Sequence, residues 1–157
     1  IGVAEPVNFN SPGQVVIAGH ATAVTQAVEY AKEHGARRAI VLPVSVPTHS
    51  SLMREAGISL AGTLETTEIK TPEITVVSAA TAQPYVDADD IRGKLSAQVY
   101  SPVHWVRTIE AMIGTGATSI IECGPGKVLA GLSRRIARSI PVACIDNSES
   151  LQKALQG

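Results

Sequence analysis

The sequence predicts an α/β fold with mainly parallel strands. Short apolar, β-branched runs alternate with helical patterns along the whole chain, the signature of strand–helix units. The 157 residues suit one domain. Hydrophobic residues are 45% of the chain and charged residues 17%, a balance that favours folding around a core over disorder.

Residues 1–7 read as extended, and Asn8-Phe9-Asn10-Ser11-Pro12-Gly13 is dense in turn formers. Gln14–Ala18 reads as a buried strand closed by Gly19. Over 21–34, Val24, Ala27, Val28 and Ala31 recur at helical spacing, and Gly35 suits the position past the helix end. Arg37 and Arg38 precede a strand over 39–44. Pro43 and Pro47 then keep the chain extended and block helix until Thr48. His49 follows at once, and a helix over roughly 51–65 puts Met53, Ala56, Leu60 and Leu64 on one face. Gly57 and Gly62 weaken it by up to ~1 kcal/mol each relative to Ala. Thr71-Pro72 ends that unit, and Ile74–Ser78 reads as the next strand, followed by a loop over 79–87.

Asp87 and Asp89 are N-cap candidates for a helix over 89–99. Ser101-Pro102 reads as the next helix start, with Pro at the first helical position. That helix carries Val106, Ile109 and Ile113 inward and stops at Gly114 or Gly116. Thr118–Glu122 is a strand, Gly124-Pro125-Gly126 turns the chain into a helix over 126–139, and Pro141–Ile145 is the last strand. Ser148 caps a terminal helix over 149–156.

A net charge of −1 argues against a general nucleic-acid binder, and 3% aromatics leave no platform for stacking bases. Cys123 and Cys144 have no CxxC partner and no His at metal spacing, so no metal site is expected. Both read as small core thiols in a reduced, cytoplasmic setting. No apolar run approaches the ~18 residues that a membrane span needs. The chain begins at Ile1 with no secretory pattern, as a processed chain or a piece of a longer one does.

A histidine at a strand-to-helix junction has a rigid support and a ring free to face a cleft; it also serves elsewhere as a cap or surface group. Gln98 falls within about 20° of Ile91 on the helical wheel, which puts an amide on the buried stripe. Such an amide ties down a loop or faces a polar cleft, because unpaired it costs ~1–3 kcal/mol. Gly124-Pro125-Gly126-Lys127 has the strand–turn–helix setting of a phosphate cradle. Leu129 stands where the dinucleotide fingerprint needs Gly, and the run lacks the length of a phosphate loop, so a structural turn is the better reading. Lys127, Arg134 and Arg138 share one face opposite Leu129, Leu132 and Ile136, as a solvated face or one meeting an acidic partner does. Arg37 and Arg38 complement a helix C-terminus or capture phosphate. No Gly-x-Ser-x-Gly occurs, so the chain has no nucleophile elbow.

Four ordered segments carry a resemblance: Asn8 to Gly19, Leu42 to His49, Gln98 to Trp105, and Glu122 to Leu129. Together they resemble the bacterial malonyl-CoA:acyl-carrier-protein transacylase family across nearly the whole chain. The resemblance implies a Ser–His acyltransferase that moves malonyl from coenzyme A to the phosphopantetheine thiol of acyl carrier protein through a seryl acyl-enzyme. It matches His49 to the catalytic base and Gln98 to the residue whose backbone carbonyl orients that base. It matches Asn8, Gln14, Arg37 and Arg38 to the coenzyme A channel. No cofactor is implied, since the coenzyme A thioester is the substrate.

By the same resemblance, residues 1–46 are part of a ferredoxin-like small subdomain. Residues 47–157 are the C-terminal part of an α/β-hydrolase-like large subdomain. The family's N-terminal half, with its nucleophile, is missing from the sequence. The implied partners are acyl carrier protein, malonyl-CoA and that N-terminal half, with neither nucleic acid nor membrane. The chain alone is expected to be inactive. A non-catalytic module binding acyl carrier protein or coenzyme A, and a partly unfolded fragment, are the competing expectations.

Overall fold

The computed structural model describes residues 2–156 and carries the predicted mixture of helices and strands. Ile1, the start of the first predicted segment, and Gly157, the end of the second predicted subdomain, lie outside the described residues. The order is β1 (Ala4–Ser11), β2 (Gln14–Gly19), α1 (Ala21–Glu33), a 3₁₀ turn (Ser51–Met53), α2 (Arg54–Glu65), α3 (Ala88–Gln98), α4 (Trp105–Gly114), β3 (Ile120–Cys123), α5 (Val128–Ile136), β4 (Val142–Ile145) and α6 (Ser148–Leu155).

Mainly parallel strands were expected; the described residues form two separate two-stranded sheets, one of each kind. β1 and β2 are an antiparallel hairpin from Ala4 opposite Gly19 to Ser11 opposite Gln14. Its strand runs through Asn8-Phe9-Asn10, and the turn shrinks to Pro12-Gly13. Pro at the second turn position and Gly13 at φ 75° at the third supply what a tight turn needs. β3 and β4 pair in parallel, Ile120 beside Val142 through Cys123 beside Ile145. α5 is the crossover between them.

The strand expected over 39–44 does not form, nor does the one over 74–78 beyond a single bridge from Val77 to Pro84. A strand exists only through a neighbour's ladder, and the described chain offers 39–44 none. Ile40, Val41, Leu42 and Val44 are consequently exposed. The predicted buried strand 14–18 is half-exposed, with Val15 at 51%. Ser101-Pro102 does not open a helix: Val103 bridges β1, donating to Val7 O (2.8 Å) and accepting from Phe9 N (2.9 Å). α4 therefore starts at Trp105. Asn147, rather than Ser148, caps α6, accepting from Ser150 N. Cys123 is exposed and Cys144 half-buried, contrary to the core role expected of both.

The helices follow their patterns closely. Asp87 caps α3 by accepting from Asp90 N at 2.8 Å. α4 packs Ile109, fully buried, against β1. Gly57 is where α2 meets α3: a Cβ there would lie 2.5 Å from ring carbons of Tyr100. Among the described residues no helix is long and apolar enough to cross a membrane.

Candidate active site

The irregular segment after Val46 ends in His49, whose backbone conformation no sequence pattern marks. His49 has φ 67°, the left-handed region that costs a non-glycine residue about 1–3 kcal/mol unless its surroundings enforce it. Those surroundings are present. The His49 N–H donates to Val99 O at 2.9 Å. Its ring Nδ1 lies 2.7 Å from Gln98 O. Two consecutive carbonyls at the end of α3 thus hold both the backbone and the ring. Gln98 closes α3, where carbonyls lack intrahelical partners and are free to accept.

Two further groups lock the junction. Ser50, fully buried, donates its hydroxyl to Pro47 O at 2.7 Å. Glu5 of β1 accepts from Ser51 N and from Ser51 Oγ, each at 2.7 Å. The backbone bond first, and then the hydroxyl bond, hold the Glu5 carboxyl below its ordinary 4.5. A carboxylate 46 residues away on a strand has no local signature, so no sequence pattern points to Glu5. Ser51 has a local signal, a serine at a helix start two residues after a histidine.

A carbonyl oxygen only accepts, so Nδ1 carries the proton in the His49–Gln98 bond. In the neutral ring Nε2 is then unprotonated and able to take a proton. Thr48, His49, Gln98 and Val99, with Leu60 and Leu64 of α2 and Leu95 of α3, line a cleft of about 330 Å³. That is the lower end of the size of small-molecule sites, and the leucines make it largely apolar. Gln98 is among the residues that line this cleft.

The other predicted site residues lie apart from this pair. Asn8 sits on β1 beside Val103. Gln14 is at the hairpin tip, its Oε1 accepting from Arg135 at 2.9 Å and Ser11 at 3.3 Å. Arg37 and Arg38 are exposed past α1. Among the described residues no hydrogen bond joins these four to His49 or Gln98. No group of three metal-ligating side chains occurs among the described residues. At the Gly124-Pro125-Gly126 turn, both Glu122 oxygens accept from the N-terminus of α5, at Leu129 N (3.1 Å) and Ala130 N (2.7 Å). A carboxylate of the chain itself thus occupies the donors that a phosphate would use.

No family model matches the chain. Curated relatives do. The malonyl CoA-acyl carrier protein transacylase of Escherichia coli K12 is 42% identical over 154 residues, covering 98% of this chain and 50% of that protein. The protein of the same name from Bacillus subtilis 168 is 42% identical over 149 residues, 95% of this chain and 47% of its own length. A solved acyl-carrier-protein S-malonyltransferase from Burkholderia pseudomallei 1710b superposes with a TM-score of 0.97 at 44% identity, over 99% of this chain and 51% of that one. A malonyl-transacylase solved in complex with its type II polyketide acyl carrier protein gives 0.96 at 42% identity, over 99% and 50%. The chain spans about half the length of the curated relatives it matches. Likeness of sequence and of fold agree over nearly the whole chain, which is therefore a homologue of the malonyl CoA-acyl carrier protein transacylases.

Proposed function

We propose that this chain is the histidine-bearing, C-terminal portion of a malonyl-CoA:acyl-carrier-protein transacylase of fatty-acid synthesis. The observation that carries the reading is the 2.7 Å contact from His49 Nδ1 to Gln98 O on a left-handed backbone. It gives a base of fixed tautomer beside an apolar cleft. His49 Nε2 takes the proton of a serine as that serine attacks the malonyl thioester, and returns it to the departing coenzyme A thiolate. It then deprotonates the phosphopantetheine thiol of the carrier protein, which attacks the seryl ester, and returns that proton to the departing serine oxygen. Gln98 is a positioning residue acting through its backbone carbonyl.

The serine comes from the remaining half of the enzyme, on the same or a separate polypeptide. Asn8, Gln14, Arg37 and Arg38 are proposed to border the coenzyme A path, the two exposed guanidinium groups suiting its phosphates. Coenzyme A enters as a substrate thioester and not as a resident cofactor. Residues 1–46, with the antiparallel hairpin and α1, are assigned to a ferredoxin-like subdomain. Residues 47–157, with the parallel pair, are assigned to the α/β-hydrolase-like one; both assignments belong to this proposal, as does a cytoplasmic location.

The test is reconstitution. This chain and the half of a relative that it does not cover are each assayed for malonyl transfer, alone and together. Activity only in the mixture is the expected result. Saturable binding of acyl carrier protein by the chain alone, with no activity in any mixture, would favour the binding module instead.

A further inference from the structure

We propose that Glu5 is a positioning residue for the transfer: from β1 it caps the helix start that follows His49, and so holds the base on its left-handed backbone. The inference rests on the reading of His49 as the base. Ser50 stands at the N-cap of the Ser51–Met53 turn but makes no side-chain capping bond. Its hydroxyl points back to Pro47 O, at 2.7 Å. The first N–H groups of a helical segment have no acceptor within it, and the residue that ordinarily supplies one is here committed elsewhere. Glu5 takes that place from 46 residues away. Its Oε2 accepts from Ser51 N and its Oε1 from Ser51 Oγ, each at 2.7 Å.

This contact is two-pronged and charge-assisted, the stronger class of hydrogen bond, and a carboxylate suits a helix N-terminus. The carboxyl of Glu5, held below 4.5 by these same bonds, accords with a pair that favours the charged form. Glu5 is itself fixed, paired opposite Ala18 in the hairpin ladder. Ser51 is therefore tied to a strand rather than to a loop. The backbone between Ser51 and His49 has little slack, since Ser50 N also donates to Pro47 O at 3.3 Å and Met53 N to Ser50 O at 3.0 Å. α3 holds His49 through Val99 O and Gln98 O, and Glu5 holds the residues that follow it. A non-glycine residue at φ 67° persists only where its surroundings over-determine it. Without the Glu5 anchor the backbone relaxes toward ordinary φ and carries the ring away from Gln98 O. The proton is then no longer fixed on Nδ1, and Nε2 is no longer reliably free to accept one. The same strand carries Asn8, so β1 places the base as well as a residue assigned to the coenzyme A path.

The test uses the chain reconstituted with the remaining half of a relative, at matched complex concentration and with folding checked by circular dichroism. Glu5→Ala is expected to lower kcat about 5- to 30-fold, with the KM for malonyl-CoA within about twofold of the parent. Glu5→Gln, which keeps the volume and an acceptor, falls between the two. Ser51→Ala lowers kcat in the parent but has little further effect once Glu5 is Ala, as two ends of one contact require. A second readout follows the ring itself. The four histidines are ¹⁵N-labelled, and His49 is assigned by its loss in His49→Ala. At mildly alkaline pH its nitrogens report a proton on Nδ1 in the parent and a mixture of tautomers in Glu5→Ala. A Glu5→Ala complex that melts lower but keeps its kcat overturns the positioning role, as does a lowered kcat with the His49 resonances unmoved. His49→Ala separates this from the parent reading. Lost turnover there beside full turnover in Glu5→Ala overturns the role of Glu5 alone. Retained turnover in His49→Ala, or a mixture that never transfers malonyl, overturns both.

Discussion

Two adjacent stretches of the chain differ in almost everything but sequence position. Residues 47–54 are held by hydrogen bonds among themselves and to α3 and β1, among them those from Ser50 to Pro47, His49 to Gln98 and Val99, Ser51 to Glu5, and Met53 to Ser50. Residues 40–46 just before them carry the more strand-like sequence, yet Val41 and Val44 are 66% and 67% exposed. The difference is one of where the partners lie. The histidine is held from behind by elements of this chain, so an energetically unfavourable backbone persists. The run before it has side chains suited to burial on both faces, as an interior parallel strand does, and no strand neighbour among the described residues. The chain can therefore fix the His49 ring without building the strand that leads to it.

The comparison breaks most sharply at Val41. Val41→Asp is expected to leave the melting temperature of the isolated chain nearly unchanged, within about 0.5 kcal/mol, because the site is exposed. In the reconstituted enzyme the same change buries an unpaired charge and costs several kcal/mol, read as loss of association. Equal effects in both states would erase the distinction between the two stretches. Gly57→Ala acts on the well-held side. Its Cβ collides with the Tyr100 ring and with Ser96 O at 2.9 Å, prying apart the helices that line the His49 cleft. A loss of ~1–3 kcal/mol in denaturant unfolding is expected, as for overpacking.

Glu5→Gln tests the smallest clamp. It weakens the two bonds to Ser51 and should lower stability by about 1 kcal/mol. Acid should mimic it. Because the folded-state pKa of Glu5 lies below 4.5, its contribution is complete above that value and is lost as pH falls through the lowered one. Thermal melts from pH 6 to 3 should therefore show a smaller acid loss in the Gln variant than in the parent. Parallel curves would show that Glu5 contributes no pH-linked stability.

The helices were legible because their determinants are local: the apolar spacing of α4, the Asp87 cap, and the Gly-Pro-Gly entry to α5 are all contained in a few consecutive residues. Strands were legible only where the partner is present. β3 and β4 appear where the pattern places them, while the 39–44 run, with a pattern as good, does not. Ser101-Pro102 read as a helix start because nothing local reveals that Val103 would be claimed by β1. At the site, proline spacing singled out His49 and the helical wheel singled out Gln98. That they meet through a backbone carbonyl was implied by family resemblance, since one residue's side chain says nothing about its main chain. The left-handed φ of His49 and the reach of Glu5 to Ser51 are products of tertiary structure, with no counterpart in the order of residues.

The central claim is that His49 is the base of the transfer. Its most direct test is turnover of malonyl from coenzyme A to acyl carrier protein in the reconstituted enzyme, with His49 and with His49→Ala, at matched complex concentration. A loss of ~10²-fold to 10⁴-fold or more is expected, the range for removing a general base and beyond it for one coupled to a nucleophile. Turnover within a few-fold of the parent would contradict the role assigned to His49.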